Sequence, residues 1–462
     1  MKAAIVIPGI MGTRLHLCKQ DGSRGEEVWP PKPSEVIFGY NRIADLQRAD
    51  LVVGDIIDNI LCYDFYNLMD QHLKALKYGK TSADRRQVNF AYDWRQDNFQ
   101  TADRLAATLS DLHDQGAEEI LLLAHSMGGM VARLMLEGGK FDAEPWFSKI
   151  TLLATFGTPH LGAPLALARV FGMDSALGIS GKDFAALAAN RDYPSGYQLM
   201  PAPGEAAIWN IAGSSITPLD PYDPPVAADL GMDDQLVASA RAVHDILSRE
   251  GRPAHIRYAY FAGTGHQTAT RVNVVHTPGQ GVNHAQSVVT KTASAGDGTV
   301  PLYSAIPARG LRQIVVNEHA TVFKGLAFKR VLFRLFGQDA GDPLEVLPEG
   351  VQPGEVQIQL SLDRQVYDLG ESAELVMTIV DPFGDNGQAD SIKGKLVLQK
   401  LDDDQKASGA PKEIPVLVQT APVSTLSLFL SDIPGHGLYQ LSFDGHPAAA
   451  APVAFAVRQA SS

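Results

Sequence analysis

Cysteine is nearly absent: the 462 residues hold 2, Cys18 and Cys62, too few for a disulfide framework. No apolar run approaches the roughly 18 residues that span a bilayer. The opening segment, MKAAIVIPGIMG, carries one basic residue, Lys2, and enters a Pro-Gly turn with no small-residue cleavage site. It reads as a strand and not as a signal peptide. These absences predict a cytoplasmic protein whose two thiols stay reduced and semi-buried. Basic clusters are missing too. With 39 Lys+Arg against 52 Asp+Glu the formal net charge is -13, which repels phosphate backbones and excludes nucleic acid as a partner. Internal repeats and low-complexity tracts are absent as well.

What is present is alternation. Short apolar runs, AAIVIPG, VNFAYDW, EEILLLAHS, KITLLATFGTPH, IRYAYFAGTG and RQIVVNEH, each end in a turn rich in Gly, Pro, Asp or His. Helical patterns lie between several of them; in DRLAATLSDLHDQG, Leu105, Leu109 and Leu112 recur at helical spacing. Strands buried on both faces and separated by helices predict an α/β fold around a mostly parallel sheet. Ligand sites in such sheets lie at the carboxyl ends of the strands.

Two segments break the alternation within a first domain spanning 1–337. Residues 15–75 contain EEVWPPKPSEV and the apolar DLVVGDIIDNILCYDFY, and residues 165–250 contain the loop ITPLDPYDPPVAADLGMDD. Insertions of this length predict a lid and a cap. The cluster Ile56, Ile57, Ile60 and Leu61 suggests transient contact of the lid, from Val52 to Tyr66, with a membrane surface. Residues 338–353 have the Gly/Pro/Asp content of a linker. From 354 to 462 the texture is that of short half-buried strands. Val356, Ile358, Leu360 and Leu362 alternate, and ELVMTIV, KGKLVLQKL, IPVLVQT, STLSLFLS and LYQLSF follow. This predicts a β-sandwich, immunoglobulin-like in the turn-then-tyrosine segment PGHGLYQL, with an accessory role.

The chemistry concentrates at ILLLAHSMGGM. A strand of large apolar residues runs into Ala124-His125-Ser126-Met127-Gly128, followed by a helical pattern, which is the context of a nucleophile elbow. Residues two before and two after the serine are small because the turn is tight. Serine needs a base and a group to orient that base. Downstream, AGDGTVPLYSA offers Asp297 in a glycine turn, and NEHATVF presents His319 after the strand LRQIVV. Asp93 and Asp444 are the competing carboxylates. The competing histidines are His125, which would point away from the serine, His160, and the loop-region group His266, His276 and His284. The irregular spacing of that group predicts no metal site, and no cofactor is expected. The first turn, Ile7-Pro8-Gly9-Ile10-Met11-Gly12, can supply an oxyanion donor, the N–H of Ile10 with Met11 as its neighbour, opposite the N–H of Met127. Asp93 and Arg95 of YDWR predict a buried pair that fixes a loop. Met11, Trp94 and Leu161 are expected to touch substrate. Gly157 to His160 should shape the wall beside the elbow.

PGIMGTRL, Val28-Trp29-Pro30, YDWR, AHSMGG, FGTPHLGAP, GDGTVPLYSA and NEH occur in the order found in the lecithin:cholesterol acyltransferase and lysosomal phospholipase family, which residues 3 to 335 resemble. The resemblance implies an α/β-hydrolase core with lid and cap, a triad of Ser126, Asp297 and His319, and oxyanion donors at Ile10 and Met127. It further implies attack on a lipid ester, an acyl-enzyme, and transfer of the acyl group to water or an alcohol. Eukaryotic members carry a disulfide-tied lid, whereas Cys18 and Cys62 lie further apart than that pair. The alternatives left open are an esterase of soluble or polymeric esters and a non-catalytic binding protein with a relic core.

Overall fold

The computed structural model describes residues 1–60, 63–64, 66–307, 309–315, 317–338, 356–362, 366–380, 387–402, 406–419, 422–449 and 452–459. Its centre is a 6-stranded sheet in which Lys2–Ile7 lies between Arg85–Asn89 and Glu119–His125, and Ile150–Phe156, Arg257–Gly263 and Leu311–Val315 follow outward. Every pairing in this sheet is parallel. The six apolar runs of the sequence all contribute to these strands. One is displaced: VNFAYDW lies mostly beyond its strand, which starts at Arg85 and ends at Asn89. That strand is at the sheet's edge, where polar residues such as Arg85 and Arg86 can pair and still reach water.

Alternation along each strand builds two cores. Ala3, Ile5 and Ile7, with Leu122 and Ala124, pack on Leu105, Leu109 and Leu112 of the helix Asn98–Asp114 and on the elbow helix Met127–Glu137. Ala4 and Val6, with Leu121 and Leu123, face the other way. They pack on Met69 and Leu73 of the helix Asn67–Ala75 and on Phe328 and Leu332 of the helix Leu326–Leu335. The chain passes from the first strand out to the Arg85–Asn89 edge and returns past it to Glu119–His125. The strand order therefore reverses between the first turn and the elbow. A crevice opens at such a switch point, and both expected pieces of machinery lie on its rim.

The lid and cap differ from expectation in their bounds. Of residues 15–75, Asn67–Ala75 is an ordinary sheet-covering helix, because its apolar face is needed to bury the second core. Thr13–Cys18, Arg24–Trp29 and Val52–Ile56 form a 3-stranded sheet packed onto the hydrolase core through Leu15, Val28 and Trp29. Ile56 and Ile57, expected in an exposed apolar cluster, are buried and face the two cores. Leu61, Cys62 and linker residues 339–353 lie outside the described residues, as does the Ile60 side chain; Cys18 is free. Among the described residues, no helix is long and apolar enough to cross a membrane.

The segment expected as a cap packs on strands that lie beyond residue 250. Its helices Pro164–Val170, Gly181–Ala188 and Pro224–Asp229 pack beside a 4-stranded sheet of Thr217–Leu219, Ile208–Asn210, His266–Thr277 and Gly281–Gly296. The last two strands form a long antiparallel hairpin. His266 and His276 therefore sit on one of its strands and His284 on the other, not in loops. His276 is buried with its ring 3.4 Å from Asp229, and His284 is exposed. Among the described residues, no group of three or more His, Cys, Asp or Glu is set to hold a metal.

From residue 356 onward, mostly antiparallel strands form a 3-stranded and a 5-stranded sheet around a shared apolar core, with Ile358 and Leu360 in it as the alternation predicts. Two strands escaped the sequence reading, Val366–Asp368 and Val453–Arg458, which pair in parallel. The Tyr439 hydroxyl donates to the carbonyl of Pro434 at 2.7 Å and lies 3.1 Å from that of Gly435, tying the strand to its preceding turn.

Candidate active site

The elbow strand ends at His125, and Ser126 follows with φ 51 and ψ -127. This left-handed conformation is costly for a side chain with Cβ and persists only where surroundings impose it. Those surroundings are visible. The Ser126 N–H donates to Phe156 O at 2.8 Å, and its carbonyl accepts from Gly129 N at 3.0 Å. A Cβ at Gly128 would lie 2.5 Å from Pro8 O, and one at Gly129 would collide with Thr158. Small residues after the serine are therefore required by the first turn and the 157–160 wall. Gly9 approaches equally closely; its Cβ would come within 2.6 Å of the Ser126 Cβ.

The structure brings the serine, the downstream acid and the downstream histidine together. Ser126 Oγ and His319 Nε2 are 2.9 Å apart, and His319 Nδ1 and Asp297 Oδ2 are 2.7 Å apart. Asp297 is buried, and its other oxygen accepts from Thr299 N at 2.9 Å and Val300 N at 2.7 Å, so the glycine turn holds the carboxylate rigidly. With the acid accepting at Nδ1, that nitrogen carries the hydrogen and Nε2 is left to accept from the serine. The competing carboxylates stand elsewhere: Asp93 pairs with Arg95, and Asp444 is exposed in the sandwich.

Ile10 and Met11 line the cavity above Ser126. Met11 has φ 63, and its carbonyl accepts from Trp29 Nε1 at 2.8 Å, which turns the loop's peptides. Met127 is the first residue of the elbow helix, with its side chain wholly buried, so its backbone N–H is what it can present. Among the described residues, neither the Ile10 nor the Met127 N–H has a protein acceptor.

Trp94 lines the cavity, edge-on to Trp29 with ring centroids 5.4 Å apart. Leu161 does not. It lies on the outer side of a turn through Gly162, 38% exposed, with its N–H donating to Ser304 Oγ at 3.1 Å. Its place is taken by cap side chains that the sequence reading did not single out, Leu165, Val170, Leu187 and Leu199 among them. They come from separate segments of the chain, and nothing local says that these apolar side chains meet over a cavity. The remaining wall residue, His160, is buried between Arg133 and Thr155. Burial and the Arg133 guanidinium hold its imidazole well below the usual histidine range, so it stays neutral.

Arg95 fixes the Trp94 segment. Its guanidinium donates to both oxygens of Asp93 (2.9 and 2.6 Å) and to the carbonyls of Leu46 and Arg48, and it stacks on Tyr193. Both charged groups are nearly inaccessible, so removing one strands the other. We expect Arg95→Leu to lower unfolding free energy by about 3–5 kcal/mol, measured by urea denaturation. A loss below about 1 kcal/mol would mean that the pair is not buried as described.

The model of the lecithin:cholesterol acyltransferase family matches residues 58–219. The lecithin:cholesterol acyltransferase match takes in Tyr66, Trp94, the elbow and the first cap helices, while Asp297 and His319 lie beyond its end. No curated protein matches the chain. Among solved structures the chain is similar to the Bacillus licheniformis lipase BlEst2 in its mature form, at 11% identity over 73% of this chain and 90% of that one, with a TM-score of 0.36. It is also similar to a gene product of Listeria innocua, at 11% identity over 73% and 94% with a TM-score of 0.31. An immunoglobulin-like protein from Pseudomonas aeruginosa is 15% identical over 23% of this chain and 100% of that one, with a TM-score of 0.15. All three TM-scores fall below one-half, and the α/β-hydrolase architecture stands on the chain's own strand order and register.

Proposed function

We propose that this protein is a serine hydrolase or acyltransferase that cleaves the ester bond of a lipid-like substrate through an acyl-enzyme on Ser126. The observation that carries this reading is the Ser126–His319–Asp297 relay beneath an apolar cavity. Ser126 Oγ attacks the ester carbonyl carbon while its proton passes to His319 Nε2. The carbonyl oxygen, now negative, is held by the N–H groups of Ile10 and Met127. Collapse breaks the ester C–O bond, and His319 returns the proton to the departing alkoxide. Water or an alcohol then attacks the acyl-serine by the same steps in reverse, with Asp297 holding the imidazole throughout. The family match supports ester chemistry, and the Leu- and Val-lined cap supports an acyl chain as the group bound.

The test is intact-mass analysis after incubation with nitrophenyl esters of increasing acyl length and with a lipid mixture. An acyl adduct on Ser126, with turnover that rises from acetyl to medium or long chains, is expected. Preference for acetyl with no adduct from lipids would replace this reading by an esterase of soluble esters. Failure of a fluorophosphonate to label folded protein at Ser126 would favour the relic core.

A further inference from the structure

His125 adjoins the nucleophile, yet both of its ring nitrogens are engaged away from it. Nε2 lies 3.0 Å from the carbonyl of His319, and Nδ1 lies 2.8 Å from the Tyr66 hydroxyl. The same hydroxyl lies 2.9 Å from the Gly9 N–H. A carbonyl can only accept, so Nε2 must carry the hydrogen. In a neutral ring Nδ1 is then bare and accepts from Tyr66, whose oxygen in turn accepts from Gly9. Every donor and acceptor in this chain is assigned by its neighbours. It runs from the first turn, through the segment leading into the helix Asn67–Ala75, to the loop that carries the base.

We infer that His125 and Tyr66 are positioning residues that tie the oxyanion turn to the His319 loop, so that donor and base keep one register across Ser126. This rests on the reading of Ser126 and His319 given above. Three observations support it independently of local sequence. The peptides around His319 are clamped at both ends, the His319 N–H by Asp297 O at 2.9 Å and its carbonyl by His125. Gly9 spends its N–H on Tyr66, which leaves the next N–H, that of Ile10, for a developing oxyanion. The His125 ring lies 4.8 Å from the His319 ring, so a charged His125 would oppose the imidazolium formed during turnover. Burial, with His319 next in importance, holds His125 down to about 3, and it remains neutral. The geometry of a reacting pair is demanding; a shift of about 1 Å can cost on the order of 100-fold in rate.

The experiment compares wild type, Ser126→Ala, His125→Gln, His125→Asn and His125→Leu on a nitrophenyl ester, together with the rate of fluorophosphonate labelling and the melting temperature. Glutamine reaches far enough to donate to the His319 carbonyl; asparagine reaches only as far as Nδ1. The expected result is that His125→Leu and His125→Asn lower kcat and labelling rate about 10- to 100-fold with KM within about twofold. His125→Gln, which restores the link to the His319 carbonyl but not the one to Tyr66, should fall between His125→Leu and wild type, at least about threefold above His125→Asn. Tyr66→Phe added to His125→Leu should cost little more, because both break one chain. If His125→Leu does not fold, the Gln and Asn variants decide by themselves. Equal rates for Gln and Asn, or a wild-type kcat in either Leu or Asn, overturns the inference while Ser126→Ala remains inactive. A Ser126→Ala enzyme that keeps its turnover removes the parent reading instead, and this inference with it.

Discussion

Replacing Ser126 by alanine is expected to reduce ester turnover by a factor of about 10⁴ to 10⁶, with the melting temperature within a degree or two of wild type. What survives is the contribution of binding and of the oxyanion donors, which do not depend on the nucleophile. Ser126→Gly makes the same prediction for activity and a different one for stability. At φ 51 and ψ -127 a Cβ is unfavourable, at a cost of about 1–3 kcal/mol, and only glycine accepts the position freely. Glycine loses about 0.5–1 kcal/mol through the greater freedom of its unfolded chain. The net expectation is a gain of about 1 kcal/mol for Ser126→Gly over Ser126→Ala, read from urea denaturation of the two inactive proteins. Were the glycine variant the less stable, the elbow would not be strained as described. Retained turnover in both would mean that the nucleophile is another residue.

The second large effect is acid lability set by buried histidines. His72, His125, His160 and His244 are all held below the ordinary histidine value, with burial as the first cause in each. In the unfolded chain each would take up a proton near pH 6.5. The folded chain binds fewer protons below that value, so stability is fully present above pH 6.5 and is lost as pH falls toward the folded values, about 3 for His125. Each such group contributes at most about 1.4 kcal/mol per pH unit within its window. The fall between pH 6.5 and 5.5 is the one assigned to the histidines, since that window lies more than a unit above the reference carboxylate values of about 3.9 to 4.3. Urea midpoints at pH 7.5, 6.5, 5.5 and 4.5 should fall progressively over the last three. His125→Gln should fall less steeply, by about one proton. A flat profile down to pH 5 would show these rings to be exposed or already charged.

Much of this molecule could be read without a structure, and the parts that could not share a cause. The elbow, the acid in its glycine turn and the histidine after the last strand are each marked by residues a few positions apart. The buried Asp93–Arg95 pair was legible for the same reason. Leu161 was misassigned because a single glycine, Gly162 at φ 74, turns the chain so that the leucine leaves the cavity. Ile56 and Ile57 read as a surface cluster in the sequence because apolarity does not distinguish a segment facing outward from one packed on a core. Tyr66 carried no signal at all, since its partners Gly9 and His125 lie 57 and 59 positions away.

The sequence by itself therefore marked the strands of the central sheet, their burial on both faces, the small-residue turn around Ser126, and Asp297 and His319 in turns downstream of it. These follow from backbone sterics and from the periodicity of apolar residues, which act over a few residues. Only the tertiary structure decided that Ser126 and His319, 193 positions apart, stand 2.9 Å from each other. It also decided which side chains wall the cavity, and that the His125 ring nitrogens face the Tyr66 hydroxyl and the His319 carbonyl rather than Ser126. Those outcomes depend on how layers pack and where a reversed strand order opens a crevice. Packing is settled by the fit of distant surfaces, and no local pattern records it.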